Sequence, residues 1–181
     1  MKLLKAELHC HNIFSNGHVG SLEPIHDCSV TIPQQLEQAH LAGLDVLFVT
    51  NHNTIDGYRQ MLEYKKNHQK FDTLSVYPAE EVTTNNESHV LVYGIDHSIK
   101  SGLSLHEVLD EAKKQDAVTI APHPFSLLDA LREDSIYCDL FEAFNSSNVD
   151  VYSNLRAKKF AKEKALHVVA GSDSHVQSTI G

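Results

Sequence analysis

The stretch Asp45-Val46-Leu47-Phe48-Val49-Thr50-Asn51-His52-Asn53 is an apolar run that stops abruptly at two amides and a histidine. An unbroken apolar run of this length reads as a strand buried on both faces, the signature of a parallel sheet. The polar residues directly after it fall at the C-terminal end of that strand, where β/α enzymes place their functional groups. The same pattern repeats outward in both directions. Upstream, residues 3–8 predict a strand that runs into His9-Cys10-His11, and Ile32-Pro33 opens a helix that ends at Ala42 with Gly43 as its stop. Downstream, helices are expected over 56–69, 105–115 and 151–165. Strands are expected within 74–82 and over 89–95, 118–121, 140–144 and 168–171. Strands alternating with helices predict an α/β fold, formed by a single domain over 1–181. Roughly seven strands suit a closed β/α barrel, though an open doubly wound sheet shares the alternation. The motifs favour the barrel, because they recur at the ends of almost every strand. A barrel gathers those ends over one mouth, whereas an open sheet spreads them along an edge.

Composition narrows the function classes. The formal net charge is −9, so the chain as a whole does not attract phosphate backbones. Divalent cations held in one cleft would reverse that sign locally. Histidine, the commonest metal ligand near neutral pH, occurs 13 times in 181 residues. No stretch approaches the ~20 apolar residues of a membrane span. The N-terminus lacks the apolar region and small-residue cleavage site of a signal peptide. The three widely spaced cysteines, Cys10, Cys28 and Cys138, fit a reducing cytoplasm better than a disulfide framework.

The motifs that carry chemistry follow in chain order. In an extended strand His9 and His11 share a face and can reach one metal, while Cys10 points the other way. His18 closes a tight Ser15-Asn16-Gly17 loop and reads equally as a ligand or as an exposed loop histidine. His52 follows the apolar strand already described. Glu80 and Glu81 end another strand, and alternation lets at most one of them face a site. A carboxylate has two oxygens and can bridge two metals, which one imidazole nitrogen cannot. His89 begins the next strand. His123 sits between Pro122 and Pro124, just past an apolar strand, with its backbone restricted on both sides. Asp173 and His175 follow the last strand with the same two-residue spacing as the first pair.

With these residues in hand, the chain resembles the PHP family, the polymerase and histidinol phosphatase domains. The match runs from Glu7 to His175 through an ordered set: HxH, Thr-x-His, P-x-x-E-[VI]-[ST], a strand histidine, P-H-P and S-D-x-H. The resemblance implies a distorted (β/α)7 TIM-like barrel with up to three metals at its C-terminal face. It implies that His9, His11, Glu81 and Asp173 hold one metal, and that Glu81 bridges to a second held also by His89 and His123. His52 and His175 would hold a third, with Asn16 or His18. Asn16 and Asn51 stand where the family often has aspartate, and Glu7 stands where an aspartate is common.

The expected activity is metal-dependent hydrolysis of a phosphate ester, with a phosphorylated small molecule or nucleotide as substrate. Two or three divalent metals are expected, and the imidazole-rich set suits Mn, Zn or Fe better than Mg. His18 and His175 are the candidates for protonating the leaving group. An exonuclease is a second reading. It needs a basic or aromatic track, yet adjacent basic pairs such as Lys65-Lys66 and Lys158-Lys159 are few and scattered, and tryptophan is absent. A non-catalytic metal-binding regulatory domain is a third, and the presence of Glu81 and Asp173 argues against it.

Overall fold

The structure is a computed structural model and describes residues 3–20 and 26–181. Seven strands form one sheet in sequence order: β1 (Ala6–Glu7), β2 (Val46–Val49), β3 (Ser75–Thr83), β4 (His89–Tyr93), β5 (Val118–Ala121), β6 (Leu140–Asn145) and β7 (Val168–Gly171). The chain just past β1 then meets the chain just past β7. Cys10 and Ser174 form a parallel bridge, Asp173 N donates to the His9 carbonyl at 2.7 Å, and His11 N to the Ser174 carbonyl at 2.9 Å. These contacts bring the sheet to near closure as a distorted barrel.

The helices cover the outside. α1 (Ile32–Leu41) begins in a capping box between Thr31 and Gln34 and ends before Gly43, whose φ of 68° is free of Cβ strain only in glycine. α1 and α2 (Asp56–Lys66) cover β2 and β3 through Leu36, Met61, Leu47 and Val76. α3 (Leu105–Lys114), capped by Ser104 and Glu107, and α4 (Val151–Lys164), capped by Asp150, cover β4 to β6 through Val108, Ala157, Val92 and Phe141. Inside the barrel, Phe48, Ala79, Leu91, Tyr93, Ile120, Leu140 and Val169 form a plug beneath the mouth. The Tyr93 hydroxyl donates to the Leu8 carbonyl across it.

One feature departs from the expected all-parallel sheet. β4 runs antiparallel to both β3 and β5, while the other neighbouring pairs are parallel. The reason is the connection. Only residues 84–88 separate β3 from β4, and a parallel crossover needs a dozen residues or more. Asn86 Oδ1 accepts from the Thr84 hydroxyl, Ser88 N and the Ser88 hydroxyl, and so fixes the hairpin turn. Because β4 is reversed, its first residue, His89, lies at the same end of the barrel as the last residues of the other strands. Among the described residues no helix is long and apolar enough to cross a membrane.

Candidate metal centre

Strand alternation sets the orientation of the first pair. Cys10 is fully buried against α1, where its Sγ accepts from Gln35 Nε2 at 3.2 Å. His9 and His11 therefore face the barrel mouth, with ring centroids 5.3 Å apart. Glu7, one turn of the pleat earlier, is a backbone tie and not part of the mouth. Its Oε1 accepts from His9 N and Ser172 N, and its Oε2 from Gly181 N.

Glu81 is the centre of the arrangement. β3 places it inward, above Ala79, and the end of β2 is laid against it by the His52–Glu81 bridge. Its Oε2 lies 3.2 Å from both His9 Nε2 and His11 Nε2. Its Oε1 lies 3.1 Å from His89 Nδ1 and 3.0 Å from His123 Nε2. Burial alone would push this carboxyl up, but His9, His89 and His52 hold it well below the usual carboxylate range. Glu80 points to the opposite face, where its Oε1 accepts from Ile99 N. There burial dominates and pushes it up to about 7.

Asp173 and His175 close the ring. Asp173 adopts φ 52° at the end of β7, an uncommon backbone for a non-glycine residue. That conformation brings Oδ1 to 3.3 Å from both His9 Nε2 and His11 Nε2. His123 has φ 28° although Pro124 follows it, and its backbone N donates to Glu142 Oε2 at 2.6 Å. His175 stacks on His11 at 4.3 Å and sends Nε2 to within 3.1 Å of Asp27 Oδ2. Burial lowers the affinity of His175 for its proton. The hydrogen bond to Asp27 and the charge of Asp173 outweigh this and push it up to about 9.

Ligand-type atoms thus converge in three groups, with all atoms of each group within 4.8 Å of one another. The groups are His9–His11–Glu81–Asp173, His52–Glu81–His89 and His11–Asp27–His52–His175. Such crowding of buried imidazoles and carboxylates is not satisfied by hydrogen bonds alone. His11 Nε2 is buried with no hydrogen bond of good geometry. Divalent cations fit this donor set of mixed nitrogen and oxygen ligands.

Two carboxylates in contact with this arrangement escaped the sequence reading. Glu142 projects from β6 toward His9, and its Oε1 accepts from His9 Nδ1 at 3.1 Å. This hydrogen bond fixes the tautomer that leaves Nε2 facing Glu81 and the mouth, the usual arrangement around a metal-ligating histidine. Its signal was a lone acid inside the apolar run Leu140-Phe141-Glu142-Ala143-Phe144. Gly171 makes room for this pair, since a Cβ there would lie 2.3 Å from Glu142 Oε1 and 2.5 Å from His9 Cβ. Asp27 left no such signal, because it belongs to no periodic segment.

The amides that replace aspartate hold backbone instead. Asn16 Oδ1 accepts from Asp27 N and Cys28 N, which aims Asp27 at the mouth. Asn51 Oδ1 accepts from Asn12 N and the Ser15 hydroxyl. His18 stands outside all three groups. It is exposed beside Asn53 and the Ser98–Lys100 loop, with its carbonyl accepting from Asn53 Nδ2 at 2.5 Å.

Comparison with known proteins agrees with this geometry. The PHP-associated family model matches residues 151–181. An uncharacterized protein of Methanocaldococcus jannaschii, MJ1587, is 32% identical over 166 residues, 88% of this chain and 93% of that protein. A candidate metal-dependent phosphoesterase of Bifidobacterium adolescentis shares the fold at TM-score 0.71 and 16% identity, over 97% of this chain and 89% of that one. The lesion-specific Endonuclease Q of Pyrococcus furiosus shares it at TM-score 0.70 and 17% identity, over 98% of this chain but only 50% of that one. The ordered motifs, the near-closed barrel with one reversed strand and these likenesses place the chain in the PHP family.

Proposed function

We propose that the chain is a metal-dependent phosphoesterase that hydrolyses a phosphomonoester, either a phosphorylated small molecule or a nucleotide. The observation that carries this reading is Glu81. Its two oxygens face different histidine pairs, as a carboxylate shared between two cations must. Divalent cations held there would supply charge against the phosphoryl oxygens and would lower the pKa of an attacking water toward neutrality.

The chain's own residues provide the rest. His9, His11 and Asp173 hold one side of Glu81, His89 and His123 the other, and Glu142 keeps His9 in the right tautomer. Of the two histidines considered for protonating the leaving group, His175 is at the mouth. Its side chain is 29% exposed, and Asp27 steadies its protonated form. In the form that holds cations only around Glu81, we assign it the delivery of a proton from Nε2 to the ester oxygen; a cation held by His11, Asp27 and His52 would take that nitrogen instead.

Among the described residues those lining the mouth include no lysine or arginine, and the cavity is about 280 Å³. Both features suit a compact monoester better than a nucleic-acid backbone. The test is release of phosphate from p-nitrophenyl phosphate, mononucleotides and short oligonucleotides, with Mn or Zn supplied and with chelator. Turnover confined to oligonucleotides would replace this reading with the exonuclease one. No turnover of any probe by metal-loaded protein would leave only the regulatory domain.

A further inference from the structure

Beside the mouth lies a second cleft of about 430 Å³ whose character is the reverse of the first. Its exposed apolar surface comes from Leu127, Tyr152 and Leu155, and its edge carries Arg132, Arg156 and Lys159. Leu127 and Tyr152 are among the most exposed apolar side chains described, at 66% and 77%. The two cavities adjoin at Ser126, which lines both.

One loop separates them. Ser126 N donates to the His123 carbonyl, Arg132 N to the Pro124 carbonyl, and the Ser153 hydroxyl to the Phe125 carbonyl. This loop thus presents His123 to the metal centre and Leu127 to the cleft, and it buries Phe125 against α4. Arg156 is already ordered, lying 4.4 Å above the Phe125 ring and 3.1 Å from Glu133. Asp150, also at this cleft, is committed to capping α4. Lys159 is loosely held, 3.8 Å from Glu163.

Among the described residues the mouth has no lysine or arginine, whereas this adjoining cleft offers complementary surface to a second negative charge on a substrate. We propose that the cleft is the leaving-group subsite of the phosphoesterase, built for an aromatic or apolar body that carries a second anionic group distal to the reacting phosphate. The proposal rests on the phosphoesterase reading and specifies its substrate class. A carboxylate and a phosphate offer the cleft the same chemistry as the distal group.

N-acetyl-O-phosphotyrosine and its carboxamide share the reacting phosphate and the ring, and differ by one distal charge. With Mn-loaded protein, kcat/KM for the acid should exceed that for the amide by about threefold or more through KM, the size of one partly exposed charge pair. Lys159→Ala should lower this ratio toward one, Lys159→Glu should lower it further, and Tyr152→Ala should raise KM for both probes. Lys66→Ala, on α2 and paired with Glu63, should leave the ratio as it is.

A second arm needs no metal and no turnover. N-acetyltyrosine should bind the metal-free protein saturably in NMR titration, more tightly than N-acetyltyrosinamide, and Lys159→Glu should abolish that preference. If neither phosphorylated probe turns over, the phosphoesterase reading fails, and this binding arm still decides the cleft. Equal behaviour of acid and amide in both arms would overturn the subsite. So would a concentration-dependent rise in mass that Tyr152→Ala abolishes without any preference for the acid, because the surface would then be an interface between copies of the chain.

Discussion

Glu80 and Glu81 are neighbours with opposite fates, and the difference is the two-residue period of a strand. Glu81 faces the mouth and Glu80 the outer layer, so Glu81→Gln should abolish phosphoesterase turnover, by about 10²-fold or more. Glu80→Gln should keep most of it. Turnover of both variants, measured beside their metal content, checks this, and equal losses would refute the assignment. Glu80 adds a pH dependence. Its folded pKa of about 7 lies above its ordinary 4.5. Its relative stabilisation is therefore complete below about pH 4.5 and is lost as pH rises through 7, a loss of about 3 kcal/mol at most. Glu80→Gln should accordingly raise the melting temperature at pH 8 and leave it nearly unchanged at pH 5. Thermal melts at the two pH values read this directly. Asp27 belongs to the same scale. Asp27→Asn should remove about one metal equivalent while the groups around Glu81 keep theirs, because an amide binds hard cations poorly. Elemental analysis that finds all metal retained would show that His11, His52 and His175 suffice without it.

Among the elements, β4 and β6 matter most to the site. A parallel β4 would have put His89 at the far end of the barrel; the five-residue hairpin reverses the strand and delivers His89 to Glu81. β6 contributes no candidate ligand but holds Glu142 against His9 and the His123 backbone at once. Glu142→Gln keeps the shape and loses the charge that favours the Nδ1–H tautomer. Metal affinity should fall by about 10- to 100-fold, the usual cost of losing such an outer partner. Competition with a chromogenic chelator measures it, and unchanged affinity would mean that packing alone orients His9.

The whole molecule closes only because the chain past β1 pairs with the chain past β7 through Cys10 and Ser174. The same seam carries His9, His11, Asp173 and His175, so bound cations would cross-link the two edges of the sheet. Metal removal should therefore destabilise the entire fold and not just a loop. At cation concentrations about 100 times Kd the stabilisation would be about 2.7 kcal/mol per site. For a chain of this size that is roughly 5–10 °C in Tm. Melting with and without chelator tests this, and an unchanged Tm would show that the seam holds without cations.

Sequence reading reached the barrel, the element order and the inward set His9, His11, His52, Glu81, His89, His123, Asp173 and His175. These are consequences of local periodicity. Apolar runs define strands, alternation assigns faces, and residues that follow a strand lie at one end of the sheet. The reversed β4 was not among them, although the shortness of residues 84–88 encodes it. What the linear pattern does not encode is which side chains from non-periodic or distant segments arrive at the mouth. Asp27 is aimed at it by the bonds of Asp27 N and Cys28 N to Asn16, and Glu142 matters only because β6 and the seam bring it to His9. His18 shows the converse, since its turn sequence was equally compatible with facing in or out, and contacts with Asn53 turned it outward. Such choices are made by contacts between segments far apart in the chain, and only the tertiary structure specifies those.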